Sequence, residues 1–273
     1  MTTIAQPIPI TRPTVARAML ALTARDLRVM RRALLMNIVR IVLQPLLFVF
    51  VFAYVLPEIG AAPGGSGLST IMIPGLVGST MIMQSMASIV FPLVMELAGP
   101  GAIEDRVLAP LPVHLIAVQR IVTAMIEGLF AGILVFPVAL FVHSGGQQPA
   151  VDSRNWPLLV VVMLAGALLS ASLGMFLGAT INPRQVQVLF TLVMFPAMML
   201  GCVYFTWASL AGVRWLQIAV LINPMVYLDE GLRAALTPQV GHLATWAFLL
   251  VLVGGAALFT WLSIRLFVRR VTK

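Results

Sequence analysis

The sequence predicts an all-α, polytopic membrane protein with six transmembrane helices. Of its 273 residues, 60% are hydrophobic and only 10% are charged, and the mean hydropathy is +1.03. Because soluble domains carry about 25% charged residues, a soluble fold of this composition could not cover its surface with polar groups. The sequence lacks the segments of alternating polarity that membrane-spanning strands require, so helices are the remaining way to satisfy the backbone in lipid.

Six apolar segments are long enough to cross a bilayer as helices, which takes about 20 residues each. No charged residue occurs between Glu58 and Glu96, or between Arg184 and Arg214. Residues 1–273 are therefore expected to form a single transmembrane domain, without a separate soluble domain. The predicted spans are Ile38–Leu56, Ile71–Met95, Ile121–Val142, Pro157–Ile181, Val186–Thr206 and Leu243–Ile264.

The distribution of basic residues predicts that both termini are cytoplasmic. In that orientation, 14 of the 17 Lys and Arg residues face the cytoplasm, and only Arg154, Arg214 and Arg233 lie outside. Basic residues accumulate on the cytoplasmic side of membrane proteins, so the opposite orientation is disfavoured. The net charge of +8 then indicates contact with anionic lipid headgroups and does not indicate nucleic-acid binding.

Thr14–Ala33, ahead of the first span, is predicted to be an amphipathic helix on the cytoplasmic leaflet. At 100° per residue its apolar side chains share one face, and Arg25, Arg28 and Arg31 lie on the opposite face. Asp26 breaks this pattern because it lies on the apolar face. Either it pairs with a nearby arginine at the interface, or it contacts the bundle or a partner.

The loop "ELAGPGAIEDRVLAPLP" at Glu96–Pro112 separates the second and third spans and carries four charges. Glycine and proline bound it on both sides, and Ile103–Leu108 is long enough for about one and a half helical turns. Two acids near the start of that helix, Glu104 and Asp105, suit the helix dipole. The segment is predicted to contain a short cytoplasmic helix, and a solvated turn is the alternative.

Glu127 is the one ionisable residue deep inside a predicted span. Arg120 precedes it by seven residues, nearly two helical turns, so both lie on one stripe of the third span. A carboxylate in the membrane marks either a polar seam of the bundle or a translocation path. Met194 and Met198 in the fifth span are flexible apolar side chains that adapt to varied ligands, and we assign them to the same path or seam.

Small residues recur at every fourth position of the fourth span, at Gly166, Ser170, Gly174 and Gly178. A shorter run of the same kind occurs in the third span. Small side chains let membrane helices approach closely. The pattern therefore indicates either helix packing within the chain or a subunit interface.

The outer connection at 207–242 is apolar enough to dip into the membrane, and an Asn-Pro pair divides it. We predict a re-entrant pair of short helices, and an interfacial hairpin is the alternative. On the second helix, Arg233 lies at salt-bridge spacing from both Asp229 and Glu230. The residues assigned to this re-entrant motif are Asn223, Pro224, Tyr227 and Arg233.

Nothing in the sequence indicates an enzyme. The GxSxG, HExxH and P-loop motifs are absent, and the histidines lie near the ends of predicted spans. Cys202 is the only cysteine, so the chain can form no internal disulfide and no CxxC metal site. We expect no catalytic residue, metal or cofactor on this chain.

Three features together resemble the permease subunit of type-2 ATP-binding-cassette (ABC) transporters, and within it the drug- and lipid-exporter-like members. They are the helix with "ARDLRVMRR", the loop "ELAGPGAIEDRVLAPLPVH", and "NPMVYLDEGLRAAL" between spans five and six. The loop is similar to the family's pattern of acid, Gly, acid-x-Arg and Pro, and the last segment to its Asn-Pro, Tyr and Arg pattern. With six spans, the resemblance covers nearly the whole chain.

The resemblance implies a permease of the bacterial inner membrane that does not itself hydrolyse ATP. Two copies of a separate ATPase subunit would bind ATP and Mg, and a second permease copy or a close relative would complete the pathway. The charged loop, together with the N-terminal helix, would couple the permease to the ATPase. The loop residues assigned to this contact are Glu96, Gly101, Ile103, Glu104, Asp105, Arg106 and Leu108.

The function expected from the sequence is ATP-driven export of an amphipathic drug or lipid-like substrate from the cytoplasm or inner leaflet. Methionine-rich, polar-poor spans favour such a substrate, and an aromatic content of 8% gives less support to a polysaccharide or glycolipid path. Two other classes are alternatives: a stand-alone proton-coupled transporter that uses Glu127, and a membrane scaffold without transport.

Overall fold

The computed structural model describes residues 15–32, 34–59, 68–98, 112–141, 150–152 and 154–271. This part of the chain is mainly helical and contains no strand, which confirms the predicted all-α class. The helices are α1 (Val15–Arg32), α2 (Leu34–Val49), α3 (Leu68–Ala98), α4 (Val113–Phe141), α5 (Trp156–Thr180), α6 (Val186–Met199), α7 (Arg214–Ala219), α8 (Pro224–Leu236) and α9 (Thr245–Val271).

Within the described ranges, five helical segments are long and apolar enough to cross a membrane, namely α3, α4, α5, α9 and the first one, Leu34–Phe52. Helix α6 is a sixth apolar helix but has only 14 residues, a rise of about 21 Å against a hydrocarbon core of about 30 Å. The predicted end of this span at Thr206 is wrong. The helix ends at Met199 because the backbone turns there, and Cys202 adopts a left-handed φ of 61° that a helix cannot accommodate.

The first membrane helix is irregular. Pro45 lies inside α2, and a proline there removes one helical hydrogen bond. The helix then continues as a π-helical stretch over Phe50–Val55 and one α-helical turn at Leu56–Glu58. Because π-helical stretches are rare, this stretch marks a local departure of the first membrane helix from regular α-helical geometry.

Helix α3 is the central helix of the bundle. About 61% of its apolar stretch is buried, against 17% in the first span and 22% in α9. The small residues of α4 and α5 face it: a Cβ on Gly174 would lie 2.9 Å from the Cα of Met86, and one on Gly128 would lie 1.8 Å from the Oγ of Ser85. Of the two explanations for the four-residue glycine pattern, packing within the chain is the one that this geometry supports.

Helix α1 packs against one end of the bundle through its apolar face. Ala18, Met19 and Leu22 contact a core cluster that includes Ile121 of α4 and Phe267 of α9. The predicted amphipathic helix is therefore present, and part of its apolar face is covered by protein.

Candidate functional site

A cavity of about 430 Å³ lies between α2, α3 and α6. We call it the apolar cavity, since methionine and phenylalanine side chains are its largest apolar contributors. Both methionines that we assigned to a path or seam line it, and the Gln44 amide donates to the sulfur of Met198 at 3.7 Å. The principal apolar side chains of the lining are Phe48, Met83, Phe91, Phe190, Met194 and Met198.

A second cavity of about 510 Å³, which we call the polar vestibule, lies between α1, α2, α3 and α4. It shares part of its wall with the apolar cavity, at Gln84, Ala87 and Phe91 as well as at one arginine. The two spaces are therefore neighbours, one polar and one apolar. The charged residues that line the polar vestibule are Arg25, Asp26, Arg40, Arg120 and Glu127.

Glu127 lines the polar vestibule near the middle of α4. Its carboxylate accepts a long hydrogen bond of 3.4 Å from the Gln84 amide on α3. Arg120, which shares its stripe, forms its ion pair with Glu96 at the end of α3. Glu127 thus faces an open polar space, and Glu96 links α3 to α4 within the chain.

Asp26 contacts the bundle. Its Oδ2 accepts a hydrogen bond of 2.9 Å from the Gln119 amide of α4, whereas the guanidinium of Arg25 is 4.0 Å from Oδ1. Gln119 is itself buried and also donates to Thr123. The acid on the apolar face of α1 therefore contacts the bundle and also lies at ion-pair distance from Arg25, so it does what both of our explanations state.

The other residues of the coupling assignment divide into two groups. On α1, Arg28 is exposed and donates to the Ala24 carbonyl of its own helix at 3.1 Å, and Arg31 is exposed as well. These cations are free to face a partner. The loop residues Gly101, Ile103, Glu104, Asp105, Arg106 and Leu108 lie outside the described residues.

The segment between α6 and α9 contains the predicted pair of short helices, divided at Asn223-Pro224. Asn223 caps α8, since its side-chain oxygen accepts from the Met225 N–H at 3.1 Å, and its amide donates to the Ala197 carbonyl of α6 at 2.6 Å. Pro224 occupies the first turn of α8, where no N–H is needed. The Tyr227 hydroxyl donates to the Leu221 carbonyl at 2.8 Å, so these residues fix the angle between the two helices.

Arg233 and Glu230 form an ion pair whose two side chains are fully buried. The guanidinium also donates to the carbonyl of Cys202 at 2.8 Å and to that of Ile71 at 3.3 Å. The carboxylate accepts from the backbone N–H groups of Trp207, at 2.9 Å, and Leu243, at 2.8 Å. This cluster, the Arg233–Glu230 centre, joins α8 to α3, to the turn after α6 and to the segment before α9.

Asp229 does not pair with Arg233, so that part of our salt-bridge prediction is wrong. Its two carboxylate oxygens are buried and have no hydrogen-bond partner in the described part of the chain. The side chain points at α3, where a Cβ on Gly78 would lie 2.0 Å from its Oδ1. Burial raises the pKa of Asp229 well above its usual range, which favours the neutral acid.

The main residues that sequence reasoning missed are amides within apolar helices. Gln84 and Gln119 hold the carboxylates of Glu127 and Asp26, and both could have been noticed as polar residues in otherwise apolar spans. Spacing identified Arg233 as a partner of Glu230, but the other two partners of Glu230 left no such signal, because they are backbone groups. Among the described residues, no three His, Cys, Asp or Glu side chains come together as a metal site would require.

The match to known proteins covers most of these elements. Residues 17–237 match the family described as ABC-2 type transporter, which is more than half of the chain and includes the bundle through α8. The chain belongs to the ABC-2 type transporter family. It is the membrane permease subunit of an ABC transporter, and an ATP-binding-cassette ATPase is the partner that this family implies.

The permease is also similar to the inner membrane transport permease YadH of Escherichia coli K12. The two are 25% identical over 253 residues, which cover 89% of the permease and 93% of YadH. The YadH proteins of Escherichia coli O157:H7 and Shigella flexneri match to the same extent. The likeness therefore extends over most of the permease and most of YadH.

Proposed function

We propose that the permease carries an amphipathic, lipid-like or drug-like molecule out of the cytoplasm or inner leaflet. The observation that carries this proposal is the apolar cavity, which is large enough for a small ligand and lies beside the polar vestibule. Two neighbouring spaces of opposite polarity suit a molecule with an apolar body and a polar group. Their methionine side chains can adapt to more than one shape.

Transport is driven from outside the permease by two ATPase subunits, and two permease copies enclose the complete path. The loop at 96–112, through Glu104 and Arg106, and the exposed cations of α1 form the contact with the ATPase. The protein lies in the bacterial inner membrane with both termini in the cytoplasm, as the distribution of basic residues supports. A polysaccharide or glycolipid remains the alternative substrate, and the overall aromatic content of 8% favours it less.

The experiment is ATP-driven export of a fluorescent amphipathic dye from proteoliposomes that hold the permease and its ATPase. Met194→Trp fills the apolar cavity and is expected to lower the export rate about tenfold, because the loss of binding space is worth roughly 1–3 kcal/mol. Leu192→Trp is the matched control, since Leu192 lies on the same helix with its side chain 66% exposed. That variant should export dye at the wild-type rate.

A second variant distinguishes loss of the substrate path from loss of coupling to the ATPase. Glu104→Ala/Arg106→Ala is expected to abolish ATP-driven export while dye binding stays unchanged. Equal export by Met194→Trp and wild type would remove the apolar cavity from the path. Export by the double variant at the wild-type rate would show that the loop is not the coupling element, and export without ATP would refute an ATP-driven permease.

A further inference from the structure

We infer that Arg40 binds the anionic group of the substrate, so that the permease selects anionic amphiphiles. This inference rests on the proposed function and adds the charge of the molecule that is carried. It assigns to one side chain of α2 a role in specificity.

Arg40 lies where three spaces meet. It lines the polar vestibule and the apolar cavity. It also lines a groove of about 470 Å³ along the outer face of α2, formed with Leu43, Leu47, Phe48 and Val51. Arg40 is thus the residue that all three spaces have in common.

Among the described residues, Arg40 has no hydrogen-bond or ion-pair partner, although the Glu127 carboxylate of the vestibule interacts with it electrostatically. In the vestibule, Arg120 is paired with Glu96 and Arg25 is next to Asp26. Arg40 is exposed, and its guanidinium is thus available to a ligand.

Among the described residues, Arg40 is also the only charged residue that lines the apolar cavity and the outer groove. The lining of the apolar cavity and of the outer groove contains Arg40 and otherwise uncharged residues. Glu127 lines only the vestibule, where Gln84 donates to it. An amphiphile with its apolar body in either space consequently meets one positive charge, which attracts an anionic head and repels a cationic one.

Guanidinium groups suit phosphate and carboxylate ligands, because their N–H donors match two oxygens at once. Near lipid the local dielectric is low, which strengthens such a contact. The ligand class is therefore an alkyl phosphate, an acidic phospholipid or an amphipathic carboxylate. A cationic amphiphile of equal length is expected to bind more weakly.

The test measures binding to the permease–ATPase complex in a neutral detergent. The probes are dansyl-labelled dodecyl phosphate and dansyl-labelled dodecyltrimethylammonium, which have the same tail. Arg40→Gln should weaken binding of the phosphate about tenfold and leave the ammonium probe unchanged or slightly tighter, whereas Arg40→Lys should retain most of the affinity. Arg265→Gln is the control, because Arg265 is also exposed but stacks on Trp261 of α9, away from all three spaces.

Competition by phosphatidylglycerol separates the two sources of the anionic group. Displacement of the phosphate probe assigns the site to a bilayer lipid, and retention of the probe assigns it to a soluble amphiphile; both outcomes support the site. Equal phosphate affinity in Arg40→Gln and wild type, or tighter binding of the ammonium probe to wild type, would overturn the inference. Selective binding without ATP-driven export would instead overturn the proposed function and leave the anion site in place.

Discussion

Arg233 is a fully buried cation on a helix that is too short to cross the membrane. Its guanidinium is balanced by Glu230 and by two backbone carbonyls from other parts of the chain. A buried ion pair contributes little net stability by itself, but removal of one partner leaves an uncompensated charge in a low dielectric. The residue is therefore essential to the local structure, and its contacts are closed to a ligand.

The first prediction concerns the loss of this cation. Arg233→Met should lower the free energy of unfolding by about 3–5 kcal/mol, because Glu230 then keeps a buried charge without its partner. Thermal unfolding of the detergent-solubilised protein measures the effect. The control is Arg154→Met, which breaks a 4.0 Å pair with Asp152 whose arginine is 91% exposed and should change stability by less than about 0.5 kcal/mol. Similar losses in both variants would contradict this role of burial.

The second prediction concerns two glycines in membrane helices. Gly78→Ala should destabilise the protein by about 1–3 kcal/mol, because its Cβ would overlap the carboxylate of Asp229. Gly254→Ala in α9 meets nothing within 4 Å and should be neutral or stabilising by up to about 1 kcal/mol.

A double-mutant cycle tests the cause of that difference. Asp229→Ala removes the group that Gly78 accommodates, so Gly78→Ala should cost less in the Asp229→Ala background than in the wild type. If the losses in free energy of unfolding from the two substitutions simply added, Gly78 would be needed for a reason other than Asp229. The measurement is again thermal unfolding in detergent.

At the scale of elements, the contact of α1 with the bundle depends on one polar bond among apolar contacts. The carboxylate of Asp26 meets the Gln119 amide at 2.9 Å, while Ala18, Met19 and Leu22 supply the apolar area. This hydrogen bond fixes the rotation of α1 about its axis, because apolar contacts alone tolerate a small rotation. In the proposed coupling, movement of α1 would be passed to α4 through this contact.

The third prediction follows from this contact. Asp26→Ala should speed hydrogen–deuterium exchange of the α1 amides about fivefold or more, since a lost hydrogen bond is worth about 1 kcal/mol. Arg28→Ala is the matched control, because Arg28 bonds only within its own helix among the described residues and is exposed. Equal exchange in wild type and Asp26→Ala would mean that the apolar face alone holds α1.

Sequence patterns predicted most of these elements and few of their contacts. Hydropathy is a property of segments, so it located α2 to α5 and α9, and helical periodicity located α1. Hydropathy did not predict the end of α6 at Met199, because a single left-handed residue in an apolar run, here Cys202, does not change the hydropathy of the segment. Spacing along one helix paired Asp229 with Arg233, but the direction of a buried side chain is decided by its neighbours, here Gly78 of α3.

The site was predicted in the same uneven way. Met194, Met198 and Glu127 were found as unusual residues of apolar spans, and they line neighbouring cavities. Arg40 was counted only as a cytoplasmic charge, because its position at the junction of three spaces depends on how α2 packs against α3 and α6. Long-range geometry of that kind is not encoded in any local pattern.

For the whole molecule, the fourth prediction is its orientation in the membrane. In a Cys202→Ser background, Arg154→Cys should react with a membrane-impermeant maleimide on intact spheroplasts, and Arg184→Cys should react only after permeabilisation. Both side chains are exposed, so a difference in labelling reports the side of the membrane. If intact spheroplasts showed labelling of Arg184→Cys but not of Arg154→Cys, the protein would have the opposite orientation in the membrane.

The Arg233–Glu230 centre also has a consequence for biosynthesis. Glu230 receives one of its hydrogen bonds from the backbone of Leu243, just ahead of α9. Until that segment has left the ribosome, Glu230 can be paired with Arg233 and the Trp207 N–H but lacks the third of its donors. The hydrogen bonds of this buried acid are therefore complete only once the residues just ahead of the last helix have been synthesised.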